Sequence, residues 1–253
     1  MFYNSKLNMS LEISIFFFLI ISLVAFLYSS VGHGGASGYI ALMTLFSLPI
    51  IYIKPIALVL NIFVAGVSFF FYQKKLFFKW ELFYPFAISS IPASFIGGYI
   101  SIDSDIYKII LGLFLIIAVL RILLIKIEEN LSLRKNNKKL SFIIGFIIGF
   151  VSGLIGIGGG IILSPIIVLL KWGTLKQTAA VSALFIFVNS ISGFMGYLIN
   201  GDILPSKYLI LIPIVLFGGI LGSLYGSFFS SNRILSYLLA FVLIIASSKL
   251  LFL

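Results

Sequence analysis

The residues best suited to chemistry lie in one short stretch, SVGHGGASG (30–38), which interrupts a long apolar run. It holds four glycines and the only histidine of the chain, His33. Glycine has no Cβ, so a ligand can approach the backbone closely, and a break between helices frees backbone N–H groups. A helix that begins after the break points its positive dipole end toward it. The pattern is typical of an anion-binding site, and His33 adds a charge that changes near neutral pH.

A second glycine cluster, GLIGIGGG (153–160), lies in the other half of the chain. When Ser30 is aligned with Leu154, the two clusters match. Gly32, Gly34 and Gly35 fall on Gly156, Gly158 and Gly159, Ala36 falls on Gly160, and His33 falls on Ile157. Two matched breaks in apolar segments indicate a secondary transporter whose substrate binds where they meet. The alternative is close helix packing alone, which also accounts for Gly145 and Gly149 at GxxxG spacing.

Three polar side chains in or beside these clusters each have a functional and a structural interpretation. His33 can attract an anion as a cation or carry a coupling proton, or it can be a neutral ring bonded to a nearby carbonyl. Ser37 can donate to a ligand or to a carbonyl one turn back, and for Ser164 the carbonyl is favoured.

Asn61 and Asn189 lie within apolar segments that follow the clusters. A buried amide is costly unless it is paired, so each must bond a neighbouring helix or a ligand. Gln177, Thr178 and Ser182 begin the same segment as Asn189. The predicted substrate-binding residues are Gly32, His33, Gly34, Gly35, Ser37, Asn61, Gly156, Gly158, Gly159, Gly160 and Asn189.

Three basic residues lie near or within apolar segments. Lys54 and Lys176 are placed just after each glycine-broken pair of segments, where they either guide anions to the pathway or extend into solvent. Arg121 lies about five residues from a basic loop, so we expect its side chain to snorkel to the interface.

The composition is that of a membrane protein. Of 253 residues, 61% are hydrophobic and 9% charged, and the mean hydropathy is +1.24. No period-two alternation recurs, so we expect an all-α bundle forming one transmembrane domain, 1–253, in the cell membrane. The net charge of +10 reflects short basic loops rather than nucleic-acid binding. Without cysteine or a nucleotide-binding motif, and with one histidine, we expect no metal site, no cofactor and no catalytic residues.

Ten apolar segments are predicted, at 11–30, 37–53, 55–73, 80–100, 105–126, 140–156, 160–171, 176–199, 204–227 and 233–252. The stretch 140–172 is too long for one span and too short for two, so it predicts a pair of shortened or re-entrant helices. Residues 11–53 indicate the same less clearly. Ten spans place both termini outside, whereas fusing each broken pair gives eight spans and places both inside.

The chain divides into two related halves, 11–126 and 140–253, joined by a basic loop, 127–139. Basic loops stay cytoplasmic, so we expect 74–79 and this loop inside and 101–106 outside. The oligomeric state is left open.

The stretches GLIGIGGGIILSPIIVLL and KQTAAVSALFIFVNSISG, with the weaker first copy GHGGASGYIALMTLF, resemble the sulfite exporter TauE/SafE family. The resemblance implies a multi-pass permease that exports a small anion, such as sulfite or another organosulfur or carboxylate compound. His33 and Ala36 depart from the second copy. The alternative is a membrane partner or assembly subunit that transports nothing itself. Protons are a possible coupling ion.

Overall fold

The computed structural model describes residues 2–124, 133–201 and 204–228, and within these ranges the chain is a bundle of helices with no strand. The helices are α1 (Phe2–Ser29), α2 (Ala36–Leu45), α3 (Ile50–Lys74), α4 (Trp80–Tyr99), α5 (Ser104–Leu124), α6 (Lys138–Ile155), α7 (Gly160–Leu169), α8 (Leu175–Ile199) and α9 (Leu211–Phe228), with a 3-10 turn at Ser206–Ile210. The predicted helical membrane bundle is confirmed. The predicted segment 233–252 lies outside the described residues.

Four helical stretches are long and apolar enough to cross a membrane: α3, α6, α8 and Ser206–Phe228. In α3 and α8, 56% and 67% of the most apolar 18-residue stretch is buried inside the bundle. In each of the other two helical stretches the buried share is 39%. The helices α3 and α8 therefore form the centre of the bundle. The apolar helices α2 and α7 have only 10 residues each.

The two central helices run antiparallel. The start of α3 and the end of α8 both lie at the end of α4. Lys54 Nζ of α3 donates to Gly98 O of α4 at 3.0 Å, and Gly98 packs against Gly193 of α8. At the other end, Tyr72 near the end of α3 packs with Ala179 near the start of α8. Residues midway along both helices therefore lie at the same depth in the bundle.

Each short helix forms a hairpin with the longer helix before it. Between α1 and α2 the chain reverses at residues 30–35, which we call the first break. Phe46, just after α2, then packs against Phe17 of α1, with 4.9 Å between the ring centroids. Between α6 and α7 the chain reverses at residues 156–159, the second break. There the Arg134 N–H before α6 donates to Lys171 O after α7 at 2.7 Å. The predicted shortened pair in 140–172 is thus present as a hairpin.

The two hairpins open toward opposite faces of the bundle. The face that we call the basic face holds residues 74–81, 133–139 and 171–176. Asn136 Nδ2 donates to Glu81 O at 3.0 Å and so joins the first two of these segments. The opposite face holds residues 46–52, 100–108 and 200–208, joined by Asn200 Nδ2 to Ser101 Oγ at 2.6 Å. Of the twelve lysines and arginines whose side chains the structure describes, nine are on the basic face: Lys74, Lys75, Lys79, Arg134, Lys135, Lys138, Lys139, Lys171 and Lys176.

One predicted boundary was wrong. We expected segments 37–53 and 55–73 to meet at Lys54, but the chain breaks at residues 46–49, and Lys54 and Pro55 lie inside α3. Pro49 precedes the first turn of α3, and Ser47 has a φ of 57°. Lys54 does not end a helix because α4 carbonyl groups satisfy its charge within the bundle.

Gly145 and Gly149 on α6 allow close packing against α4, which is the alternative interpretation given above for glycine in these segments. A Cβ at either position would meet backbone atoms of α4, at Phe86 and Ser90 respectively. The helices α2 and α7 have equal lengths, and so do α3 and α8, with 25 residues each. The repeat of whole halves stays a prediction, because the end of the second half is not described.

Candidate substrate site between two glycine breaks

The two glycine breaks meet at one small cavity inside the bundle. Its volume is about 10 Å³, room for about one water molecule. Its lining residues come from both hairpins and from α8: Tyr28, His33, Gly34, Gly35, Ala36, Ser37, Ile157, Ile161 and Ile186. Ile186 is the twelfth of the 25 residues of α8, so the cavity lies midway along the central helices.

Both short helices begin at this cavity, each after a glycine in the left-handed conformation. Gly35 precedes α2 with a φ of 100°, and Gly159 precedes α7 with a φ of 78°; neither helix start has a side-chain cap of its own. The positive dipole ends of two helix N-termini thus lie beside the same cavity, and one of their first N–H groups, that of Ala36, donates to Asn61.

Each break also packs against the central helix of the other half of the chain: the first break against α8 and the second break against α3. A Cβ on Gly32 would lie 2.5 Å from Ala179 O on α8, and a Cβ on Gly156 would lie 2.9 Å from Lys54 O on α3. Both glycines have a positive φ, 77° and 90°. Backbone conformation and close approach therefore both require glycine at these two positions.

Asn61 joins the two breaks. Its Oδ1 accepts from the N–H of Ala36 in the first turn of α2 at 3.0 Å, and its Nδ2 donates to Ile157 O in the second break at 3.1 Å. The side chain is fully buried on α3, twelfth of 25 residues. Asn61 is brought to the predicted site, and both of its amide atoms are used in holding the breaks together.

His33 connects the first break to α7. Its Nε2 lies 3.1 Å from Gly160 O and 2.9 Å from Ser164 Oγ, and its Nδ1 lies 3.0 Å from Val31 O. The ring is 4% exposed. The expectation that His33 bonds a nearby carbonyl is met, and its charged roles stay predictions.

Ser164 is the polar residue whose place in this site the sequence did not predict. Its hydroxyl lies 2.9 Å from Gly160 O, the expected bond one turn back, but also 2.9 Å from Ser182 Oγ on α8. The signal that was available is the spacing of four residues from Gly160, which puts Ser164 on the helix face that carries the break.

The remaining polar candidates divide. Ser37 lines the cavity and bonds the hydroxyl of Tyr28. Asn189 does not line it: its Nδ2 donates to Phe185 O on the same helix at 2.8 Å, and its buried Oδ1 has no hydrogen-bond partner. Among the described residues, no three His, Cys, Asp or Glu side chains lie together in a group that could hold a metal ion.

A larger cavity of about 290 Å³ opens at the opposite face. It is lined by Ile50, Ile51, Tyr52, Lys54, Ile100, Ser101, Ile102, Tyr107, Leu154 and Tyr197. We call this cavity the vestibule. Leu154, near the end of α6, lines the vestibule, and Ile157, three residues later in the second break, lines the small cavity. Tyr107 holds that segment by donating to Ile155 O at 2.8 Å.

The two lysines near the breaks have corresponding contacts at opposite faces. Lys54 Nζ donates to Gly98 O at the end of α4, and Lys176 Nζ donates to Ser227 O at the end of α9, at 3.3 Å. A cation at a helix C-terminus is favourable because the dipole is negative there. Each therefore has a structural role, whether or not it also guides anions. The Arg121 side chain is not among those described.

An all-helical membrane bundle with two broken hairpins meeting inside it has the architecture of a multi-pass membrane transporter. The family model "Sulfite exporter TauE/SafE" matches residues 17–250, and the chain belongs to this family of transporters in the cell membrane. The chain is similar to "Probable membrane transporter protein y4hK" of Sinorhizobium fredii, with 35% identity over 237 residues that cover 90% of this chain and 94% of that protein.

Two more distant relatives carry similar names. "Probable membrane transporter protein MJ0441" of Methanocaldococcus jannaschii is 29% identical over 135 residues, 52% of this chain and 50% of that one. "Probable membrane transporter protein YunE" of Bacillus subtilis is 28% identical over 164 residues, 54% of this chain and 58% of that one. No solved structure matches the chain significantly.

Proposed function

We propose that the protein is a secondary transporter that binds a small anion between the two glycine breaks. The observation that carries this proposal is the meeting of the α2 and α7 N-termini at one cavity, with Asn61 bridging the breaks. Helix N-termini favour negative charge, and the residues that line the cavity include no carboxylate. The proposed ligands are backbone N–H groups of both breaks with His33, Ser37 and Asn61. Asn189, which was also predicted to bind, is proposed only as a residue packed nearby.

The conformation described here is closed around that site. A cavity of about 10 Å³ admits a water molecule but not an oxyanion such as sulfite, so the breaks must separate for binding. The vestibule lies on the opposite face, and the end of α6, which leads into the second break, contributes Leu154 to its lining. Movement of the α6–α7 hairpin away from α3 therefore opens the site to that face, and movement of the α1–α2 hairpin away from α8 opens it to the basic face.

The basic face is proposed to be cytoplasmic, since nine of the twelve described basic side chains lie on it. With this orientation the vestibule faces outside, and α1 starts there, as the count of ten segments predicts. The substrate is proposed to be sulfite or another organosulfur or carboxylate anion, and the direction export. The proposed substrate and the proposed direction both rest on the family name and on the resemblance.

The test is transport by purified protein in liposomes. Sulfite, thiosulfate, sulfoacetate and small carboxylates are supplied in turn, and counterflow of labelled anion is measured. We expect saturable counterflow of at least one anion and competition among its analogues. Folded protein with no flux for any of them contradicts the proposal.

The second candidate is a membrane subunit that transports nothing itself. The small volume of the central cavity and the backbone packed against Gly32 and Gly156 favour it. Its expected result in the same assay is a stable protein without flux, together with copurification of a membrane partner from native membranes.

A further inference from the structure

The surroundings of His33 differ from those of an ordinary structural histidine. Each ring nitrogen lies within hydrogen-bond distance of a backbone carbonyl, Val31 O for Nδ1 and Gly160 O for Nε2. A carbonyl oxygen only accepts, and a neutral imidazole carries one N–H. The protonated ring donates to both carbonyls at once, so this geometry accommodates the imidazolium at both nitrogens.

The neutral ring is accommodated as well, through Ser164. With the proton on Nδ1, the bond to Val31 O is kept, and the bare Nε2 accepts from Ser164 Oγ at 2.9 Å. When the ring is protonated, the same hydroxyl turns to Gly160 O or to Ser182 Oγ, each also 2.9 Å away. A single hydroxyl rotation thus satisfies either charge state, which a ring with only a structural role does not need.

A line of buried hydroxyls leads from this serine toward the basic face. Ser182 follows Ser164, and Thr178 lies one turn before Ser182 on the same face of α8. The Thr178 hydroxyl is buried and has no hydrogen-bond partner. One turn further out, Thr174 is exposed at the start of α8.

We propose that His33 is the proton-binding site of the transporter and that Ser164, Ser182 and Thr178, with one water between the last two, form the relay between it and the basic face. Each hydroxyl and the water accept one proton and pass on one of their own, so the relay is unchanged and Nε2 of His33 gains one proton. The imidazolium then places a positive charge beside the two helix N-termini, which raises the affinity of the site for an anion. One anion and one proton are therefore bound together.

Among the residues that the structure describes, the other titratable side chains around the first break are two tyrosines. Tyr28 of α1 packs edge-on at 6.5 Å between ring centroids, and Tyr39 of α2 lies against Gly35. Both are phenols, which titrate near pH 10 in water. The partners supplied by α7 and α8 are the serine hydroxyls and the Gly160 carbonyl.

The proton site can be tested without knowing the substrate, because His33 is the only histidine in the chain. Protein labelled with ¹⁵N-histidine in lipid nanodiscs gives one pair of ring-nitrogen resonances. We expect a single titration between pH 5 and 9, with the neutral ring carrying its proton on Nδ1. Ser164→Ala removes the donor to the neutral ring, so its midpoint should move up by about half to one pH unit.

The matched control is Ser68→Ala, which removes a buried serine–serine bond of 3.0 Å between α3 and α9, outside the relay. It should leave the midpoint unchanged. A ring that keeps one charge state from pH 4.5 to 9, a neutral ring protonated on Nε2, or an unmoved midpoint in Ser164→Ala overturns the proton site.

The relay is tested by flux, and this arm rests on the proposed anion transport. Ser182→Ala should slow anion flux driven by a proton gradient at least about fivefold while anion counterflow without a gradient stays within about twofold. Equal loss of both overturns the relay. Absence of any anion flux in the unsubstituted protein overturns the proposed function instead, and the titration then decides the proton site alone.

Discussion

The Nε2 atom of His33 and the Oγ atom of Ser164 lie 2.9 Å apart, although 131 residues separate them along the chain. This contact joins the first break to the short helix that follows the second. Together with Asn61, which bonds backbone groups of both breaks, it makes the central site one connected polar unit. Opening the site to either face must therefore exchange these bonds for contacts with water or substrate.

Asn61→Ala should impair both folding and transport. It leaves the Ala36 N–H and the Ile157 carbonyl buried without their partner, at a cost of about 1–3 kcal/mol for each group. We expect a lower midpoint of thermal unfolding in detergent and a fall in counterflow of about tenfold or more.

Asn189→Ala is the control for that change, since its amide bonds only a carbonyl of its own helix among the bonds described. Flux within about twofold of the unsubstituted protein is expected. Equal losses in the two variants contradict the central position assigned to Asn61.

Gly32→Ala should be far more damaging than Gly201→Ala. Both glycines have a positive φ, 77° and 92°, so both substitutions strain the backbone by about 1–2 kcal/mol. At Gly32 the new methyl group also meets Ala179, whereas nothing lies within 4 Å of the position at Gly201. Thermal unfolding and counterflow should be changed strongly only in the first variant, and equal effects contradict the seating of the break on α8.

His33→Gln should flatten the pH dependence of transport. An amide keeps a donor and an acceptor in the site but does not titrate, so flux should vary less than about twofold between pH 5.5 and 8. The measurement is initial counterflow rate against pH in both proteins. A profile that keeps its original slope rules out titration of this ring as its cause.

Lys54→Gln should weaken transport of anion supplied at the opposite face, where the vestibule opens. The charge lies in the vestibule lining and at the end of α4, so its loss should weaken anion attraction and loosen that helix end. We expect a several-fold higher KM for anion supplied at that face and a smaller change at the other. Lys176→Gln, whose charge lies on the basic face, should show the reverse asymmetry in oriented vesicles.

Membrane orientation can be read with single introduced cysteines, because the chain has none. Ser101→Cys on the opposite face and Lys135→Cys on the basic face both place the thiol at an exposed position. A membrane-impermeant maleimide added to intact cells should label only the first. Labelling of the second alone places the basic face outside.

The sequence predicted the helices more closely than the contacts within the site. Apolar length and matched glycines determine where helices run and where they stop, and these are local properties. The start of α3 was misplaced because Lys54 looks like a loop residue until α4 supplies carbonyl partners for it. Ser164 was expected to bond only one turn back, since its contacts to His33 and Ser182 depend on how three helices pack.

The seating of each break on the opposite half has a consequence for biosynthesis. Gly32 packs against Ala179, which is synthesised 147 residues later (179 − 32), a delay of about 7–30 s at ribosomal speed. During that interval the first break lacks its partner helix, and irregular backbone is unstable when it is exposed to lipid. We therefore expect the α1–α2 hairpin to remain at the insertion machinery or the membrane surface until α8 arrives.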